Sequence, residues 1–241
     1  MGRTTPNKQH SYHNQKRCSL ISVTTTLPTT TTTKPRDTGY DVIFMLDSSV
    51  PDGEVFNQMK DFASNIADRL IIDDEEYKIG IMRYSSRADV IAQLNGLESK
   101  NDALQKIKQI SYRPGDSNLA AAMDDVRQNM FTGRNGDRDF ARNLIVLLTG
   151  VDQSTNPYDA FRAAERAERD GINLYTVGFY LDDTFEIDDV STHPLSTYRY
   201  LVNFRGDLNR VPVNLVASSK HIVSSFLQRF YIRYLCFYRN I

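Results

Sequence analysis

The sequence predicts an α/β fold: a doubly wound, mostly parallel six-stranded sheet flanked by helices, with one antiparallel strand at an edge. Three observations lead there. Strand-length apolar runs alternate with segments of helical period through residues 39–221, the pattern of strand–helix–strand units around a shared sheet. Two of those runs, DVIFML (Asp41–Leu46) and NLIVLLT (Asn143–Thr149), are almost continuously apolar, as strands covered on both faces must be. A short link joins YKIGIMRY (Tyr77–Tyr84) to the next run, Ala88–Leu94, too short for a crossover and suited to a hairpin.

Taken in order, Asp41–Leu46 is the first strand. From Gly53 to Leu70, Val55, Phe56, Met59, Phe62, Ala63, Ile66, Ala67 and Leu70 recur at helical spacing. Tyr77–Tyr84 and Ala88–Leu94 are the hairpin strands, and a short helix follows at Asn101–Ile110. A further helix is expected from about Ser117 to Met130, with Leu119, Ala122, Met123, Val126 and Met130 on one face. Asn143–Thr149 is the next strand. Pro157–Asp170 reads as a helix with proline suited to its first turn and Gly171 to its end. Ile172–Tyr180 and Tyr198–Val202 complete the strands, and Gly206–His221 is expected to close the domain as a helix despite Pro212.

Outside residues 39–221 the composition changes. Residues 1–38 form an expected disordered segment: eight of the ten residues from Thr24 to Thr33 are threonine, too polar to offset the entropy of ordering. Two readings of this tract stand, a plain flexible linker and an O-glycosylated stalk of extracellular type. Residues 222–241 are apolar and aromatic but carry Arg229, Arg233 and Arg239. A membrane-spanning helix is disfavoured, since each buried arginine costs about 2.5–3.5 kcal/mol. Contact with a membrane surface, packing on the domain and a non-native tail all remain open. Cys18 and Cys236 lie in these flanks, as a disulfide pair or as two free thiols. The N-terminus is basic and polar with no secretory signal, so the expectation is an intracellular protein or a piece of a larger one.

Charge narrows the partner class. The chain has a net charge of −1, but its ends are basic, leaving 20 basic and 29 acidic residues in the centre, a net of −9. Such a surface repels phosphates, which excludes nucleic acid as the expected partner. The four histidines, His10, His13, His193 and His221, and two distant cysteines make no zinc pattern.

In a doubly wound sheet, ligands sit beyond the carboxyl ends of the strands near the switch in strand order. Three loops lie there: Asp47-Ser48-Ser49-Val50-Pro51-Asp52-Gly53 after the first strand, Arg113-Pro114-Gly115-Asp116-Ser117-Asn118-Leu119 before a helix, and Leu148-Thr149-Gly150-Val151-Asp152 after the central strand. With these residues in this order, about three quarters of the chain resembles the von Willebrand factor A family, most closely its collagen type VI-like matrix members. That resemblance implies a metal-ion-dependent adhesion site with Asp-x-Ser-x-Ser in the first loop, Thr in the second and Thr-Asp-Gly in the third. Magnesium suits such a set because it is a hard cation that takes six oxygens and keeps some water. Asp47 and Ser49 match the first two positions, and Ser117 keeps a hydroxyl at the Thr position. Pro51 stands where a second Ser is expected, and Gly150 where the third-loop Asp is expected. Asp47, Ser49 and Ser117 are therefore a degenerate metal set, with Asp152 or Asp52 as compensating carboxylates if their loops bend back. The expected consequence is weak Mg2+ or Mn2+ binding, or none. Asp47, Ser48, Ser49, Asp116, Ser117 and Asp152 are the expected partner-binding residues.

The other acidic runs, Asp73–Glu76 and Asp182 to Asp189, lack the regular spacing of a calcium loop and read as solvated loops. No phosphate-cradling Gly-x-Gly-x-x-Gly or Walker loop follows the first strand, and no Gly-x-Ser-x-Gly elbow occurs, so an enzyme is not expected. The resemblance implies an extracellular or secreted adhesion module that binds a protein ligand, such as collagen or another matrix protein. The alternative is an intracellular scaffold of the same family.

Overall fold

A computed structural model describes residues 39–209. Six strands form one sheet: β1 (Tyr40–Asp47), β2 (Tyr77–Tyr84), β3 (Ala88–Ala92), β4 (Arg142–Thr149), β5 (Ile172–Phe179) and β6 (Arg199–Val202). Their order is β3-β2-β1-β4-β5-β6, and all neighbours are parallel except β2 and β3. The expected mostly parallel sheet with an antiparallel edge is the one that forms. Strand order reverses between β1 and β4, so the crevice predicted for a ligand opens above Asp47 and Thr149.

Alternation along β1 sorts the core into two layers. Val42, Phe44 and Leu46 face α1 (Gly53–Arg69) and α2 (Lys100–Gln109), packing with Phe56, Met59, Phe62, Ile66 and Ile107. Ile43 and Met45 face α3 (Leu119–Asp125) and α4 (Pro157–Arg169), packing with Met123, Val126 and Ala163. The same parity sends Asp41 and Asp47, both fully buried, toward the second layer. At the lower end, Asp41 accepts from the Arg138 backbone amide at 2.7 Å and from Arg138 Nε at 2.8 Å.

The helices start where short polar side chains accept the first orphan amides. Asp52 caps α1 by accepting from the Glu54 amide, Ser99 caps α2 and Asn156 caps α4. α4 buries only alanines, Ala160, Ala163, Ala164 and Ala167, which lets its backbone lie close to the sheet.

Several elements differ from expectation. The helix expected over Ser117–Met130 begins at Leu119 and gives way to a π turn at Val126–Met130. The wider turn changes the helical phase while Val126 and Met130 both stay buried. The acidic stretch read as a solvated loop contains a helix, α5 (Phe185–Val190), and buries Glu186. A short α6 (Leu195–Tyr198) precedes β6. Where a long closing helix was expected from Gly206, the described chain has a 3-10 turn at Arg205–Asn209; the rest of that segment, both cysteines, the threonine tract and residues 222–241 lie outside the described residues. Among the described residues, no helix is long and apolar enough to cross a membrane.

Candidate functional site

Asp47 is the last residue of β1, and parity points its carboxylate into the crevice beside β4 and the loop that precedes α3. It is 0% exposed. One oxygen, Oδ1, accepts from the Ser49 amide at 2.9 Å and from the Ser49 hydroxyl at 2.5 Å. The other, Oδ2, accepts from Ser117 Oγ at 3.1 Å and Thr149 Oγ1 at 2.9 Å. Residues from all three loops thus meet on one carboxylate. Burial pushes the Asp47 carboxyl up from its ordinary value, and the four donated bonds pull in the opposite direction.

Beside Asp47 on the neighbouring strand, its register partner Tyr84 is fully buried. Its hydroxyl makes no hydrogen bond of good geometry. Burial first, and then the charge of Asp47, push the Tyr84 hydroxyl well above its ordinary value.

The loops are fixed to one another as well as to Asp47. Ser48 turns away from Ser49, donating to the Arg113 carbonyl at 2.7 Å and accepting from the Arg113 amide at 2.6 Å. Tyr112 donates its hydroxyl to the Val50 carbonyl at 2.6 Å. The buried Arg83 guanidinium donates to Ser111 and also pairs with Asp89, which anchors the second loop from below. The Thr155 amide donates to the Ser117 carbonyl at 2.8 Å, joining the second loop to the third.

The remaining expected site residues go elsewhere. Asp116 is exposed, and its amide donates to Ser86 Oγ at 2.9 Å. Asp152 does not bend back to Asp47; its carboxylate accepts from the Asp182 amide at 3.0 Å. Asp52 is spent on capping α1. Pro51 is exposed, whereas the neighbouring Val50 is driven into the core.

Sequence reasoning missed three participants. Thr149 was visible as the end of an apolar strand, but the pairing that makes it a donor to Asp47 spans 102 residues. Glu186, on α5, accepts from the Ser154 amide and hydroxyl, both at 2.5 Å, tying the third loop to α5. Burial raises the Glu186 carboxyl, with a smaller upward push from Asp47. The signal for its helix was present, as Ile187 and Val190 lie three apart within the acid run. Val50 was the third. Among the described residues, no group of three or more His, Cys, Asp or Glu side chains gathers to hold a metal.

A family model described as the von Willebrand factor type A domain matches residues 41–211, more than half of the chain. This chain belongs to the von Willebrand factor type A family. Among curated relatives of this type A chain, the human collagen alpha-6(VI) chain is 29% identical over 161 residues, covering 66% of this chain and 7% of that one. The collagen alpha-1(XII) chain of Notophthalmus viridescens is 27% identical over 164 residues, covering 67% of this chain and 17% of that one. The type A domain described here therefore spans a small part of either relative. Among solved structures, proximal thread matrix protein 1 from the mussel byssus, with a zinc-occupied MIDAS motif, superposes with a TM-score of 0.63 at 19% identity. That match covers 76% of this chain and 48% of the other, and at this identity it shows the shared fold.

Proposed function

We propose that this chain is an extracellular adhesion or matrix-assembly module that binds a protein partner through the upper face of its sheet. The reading assigns that face to binding rather than catalysis, with weak or no dependence on a divalent cation. One observation carries it: the three loops that converge on Asp47 at the reversal in strand order, in a chain whose family relatives include collagens VI and XII. The loops are joined to one another by hydrogen bonds, so the exposed Asp116 and the half-buried Ser49 and Asp152 are held on a rigid frame. A rigid frame lowers the ordering cost of association.

The test is a binding screen of the full chain against immobilised matrix proteins, including fibrillar and type VI collagens. Saturable binding that weakens in an Asp116→Ala, Asp152→Ala double variant is the expected result. A folded chain that binds none of the panel would refute the reading.

A further inference from the structure

We infer that this chain has exchanged the cation of its family for an internal plug, in which Val50 fills the space beside the third loop and Asp47 is satisfied by protein donors. The residues present do not fit a hard divalent cation. Asp47 is 0%, Thr149 3% and Ser117 8% exposed, so three of the oxygen-bearing side chains are closed off from solvent. A magnesium or manganese ion needs about six oxygens and retains water among them. Pro51 offers no oxygen from its side chain and Gly150 no carboxylate. Asp152, Asp52 and Glu186 are committed to Asp182, Glu54 and Ser154.

Two missing side chains are only part of the change. A Cβ placed on Gly150 lies 3.1 Å from Val50 Cγ1, 3.2 Å from Met59 Cε and 3.2 Å from the Phe179 carbonyl oxygen. Met59 ends in a flexible thioether and can move, but Val50 is stiff at χ1 and the carbonyl belongs to β5. Val50 is itself 0% exposed, packed in the layer with Phe56, Met59 and Phe179, and its carbonyl is held by Tyr112. In the first loop an apolar side chain, Val50, thus occupies the ground next to residue 150. A side chain restored at that position therefore presses its Cβ against Val50 and the Phe179 carbonyl.

The prediction separates lost ligands from a filled site. Manganese is titrated calorimetrically into the full wild-type chain, into Pro51→Ser, Gly150→Asp, and into Val50→Ala, Pro51→Ser, Gly150→Asp, with the unfolding midpoint of each recorded in manganese and in EDTA. The wild type is expected to give no heat of binding at millimolar manganese and the same midpoint in both solutions. The double variant is expected to unfold at lower temperature and remain insensitive to manganese. The triple variant is expected to bind at least ~10-fold more tightly than the double, and to be stabilised by the ion. Manganese binding by the wild type, or equal affinity in the double and triple variants, overturns the inference. A triple variant that folds and ignores manganese overturns the role given to Val50. None of these outcomes depends on the identity of the protein partner, so the inference and the proposed adhesion function fail separately.

Discussion

Thr149 loses very little volume when replaced by valine, yet the change removes a hydroxyl that Asp47 Oδ2 needs at the bottom of a closed crevice. Hydrogen bonds to charged groups contribute about 1.5–3 kcal/mol each, and an uncompensated buried carboxylate is costly. Thr149→Val should therefore lower the free energy of unfolding by about 1.5–3 kcal/mol. Thr149→Ser, which keeps the oxygen, should cost clearly less in the same urea titration. Equal losses for both would mean that methyl packing, rather than the bond to Asp47, is what matters there. The loops that hold Asp47, Ser49 and Ser117 could be read from the sequence because each follows or precedes a periodic element, and the family resemblance then picked out the three residues. Thr149 also ends a periodic strand, but its bond to Asp47, like the parts played by Val50 and Glu186, could not be read in this way. Their roles depend on contacts between distant segments, and nothing local distinguishes a valine that plugs a crevice from one that merely follows a loop.

Between α3 and α4 the contact combines small apolar residues with ion pairs at its border. Asp124 accepts from Arg166 Nε at 3.1 Å and Nη2 at 2.6 Å, and Arg127 reaches Asp170 at 2.9 Å. The Arg166 bonds hold the Asp124 carboxyl below its ordinary value. A carboxylate with a depressed folded-state pKa adds stability above its unfolded value of about 3.9, and that stability is lost as pH falls through the folded value. With both partners partly exposed, the contribution at neutral pH should be about 0.5–1 kcal/mol. The unfolding free energies of wild type and Asp124→Asn should differ by that amount at pH 7 and converge in acid; a difference unchanged down to pH 3 would contradict the assignment. The strands were legible because buried parallel strands are apolar along their whole length, and α1 and α4 because their stripes are long. The π turn after α3 was not, since its residues keep an apolar spacing compatible with one continuous helix. The acids in and before α5 outweigh its two buried aliphatic residues, which is why that stretch read as solvated.

Across the molecule, Arg138 gathers backbone and side chain from two separated segments. Besides Asp41 it donates to the Asp74 carbonyl at 2.7 Å and to the Tyr40 carbonyl at 2.9 Å. Removing one member of a buried pair leaves the other uncompensated, at a cost of about 3–5 kcal/mol. Arg138→Ala should destabilise the whole domain by that amount in denaturant titration, and Arg138→Lys should recover little, since an ammonium cannot span the same fork of acceptors. Full recovery by lysine would show that charge alone suffices. The placement of Asp41 and Asp47 on one face of β1 also bears on how the chain finds its fold. A strand covered on both sides has little in its apolar residues to distinguish one face from the other, and a shift of one position exchanges them. Here such a slip would carry two carboxylates into the layer of Phe56, Met59 and Phe62, away from Arg138 and from the Ser117 and Thr149 hydroxyls. The two aspartates thus work as notches at either end of a key, admitting the central strand to the sheet in a single alignment.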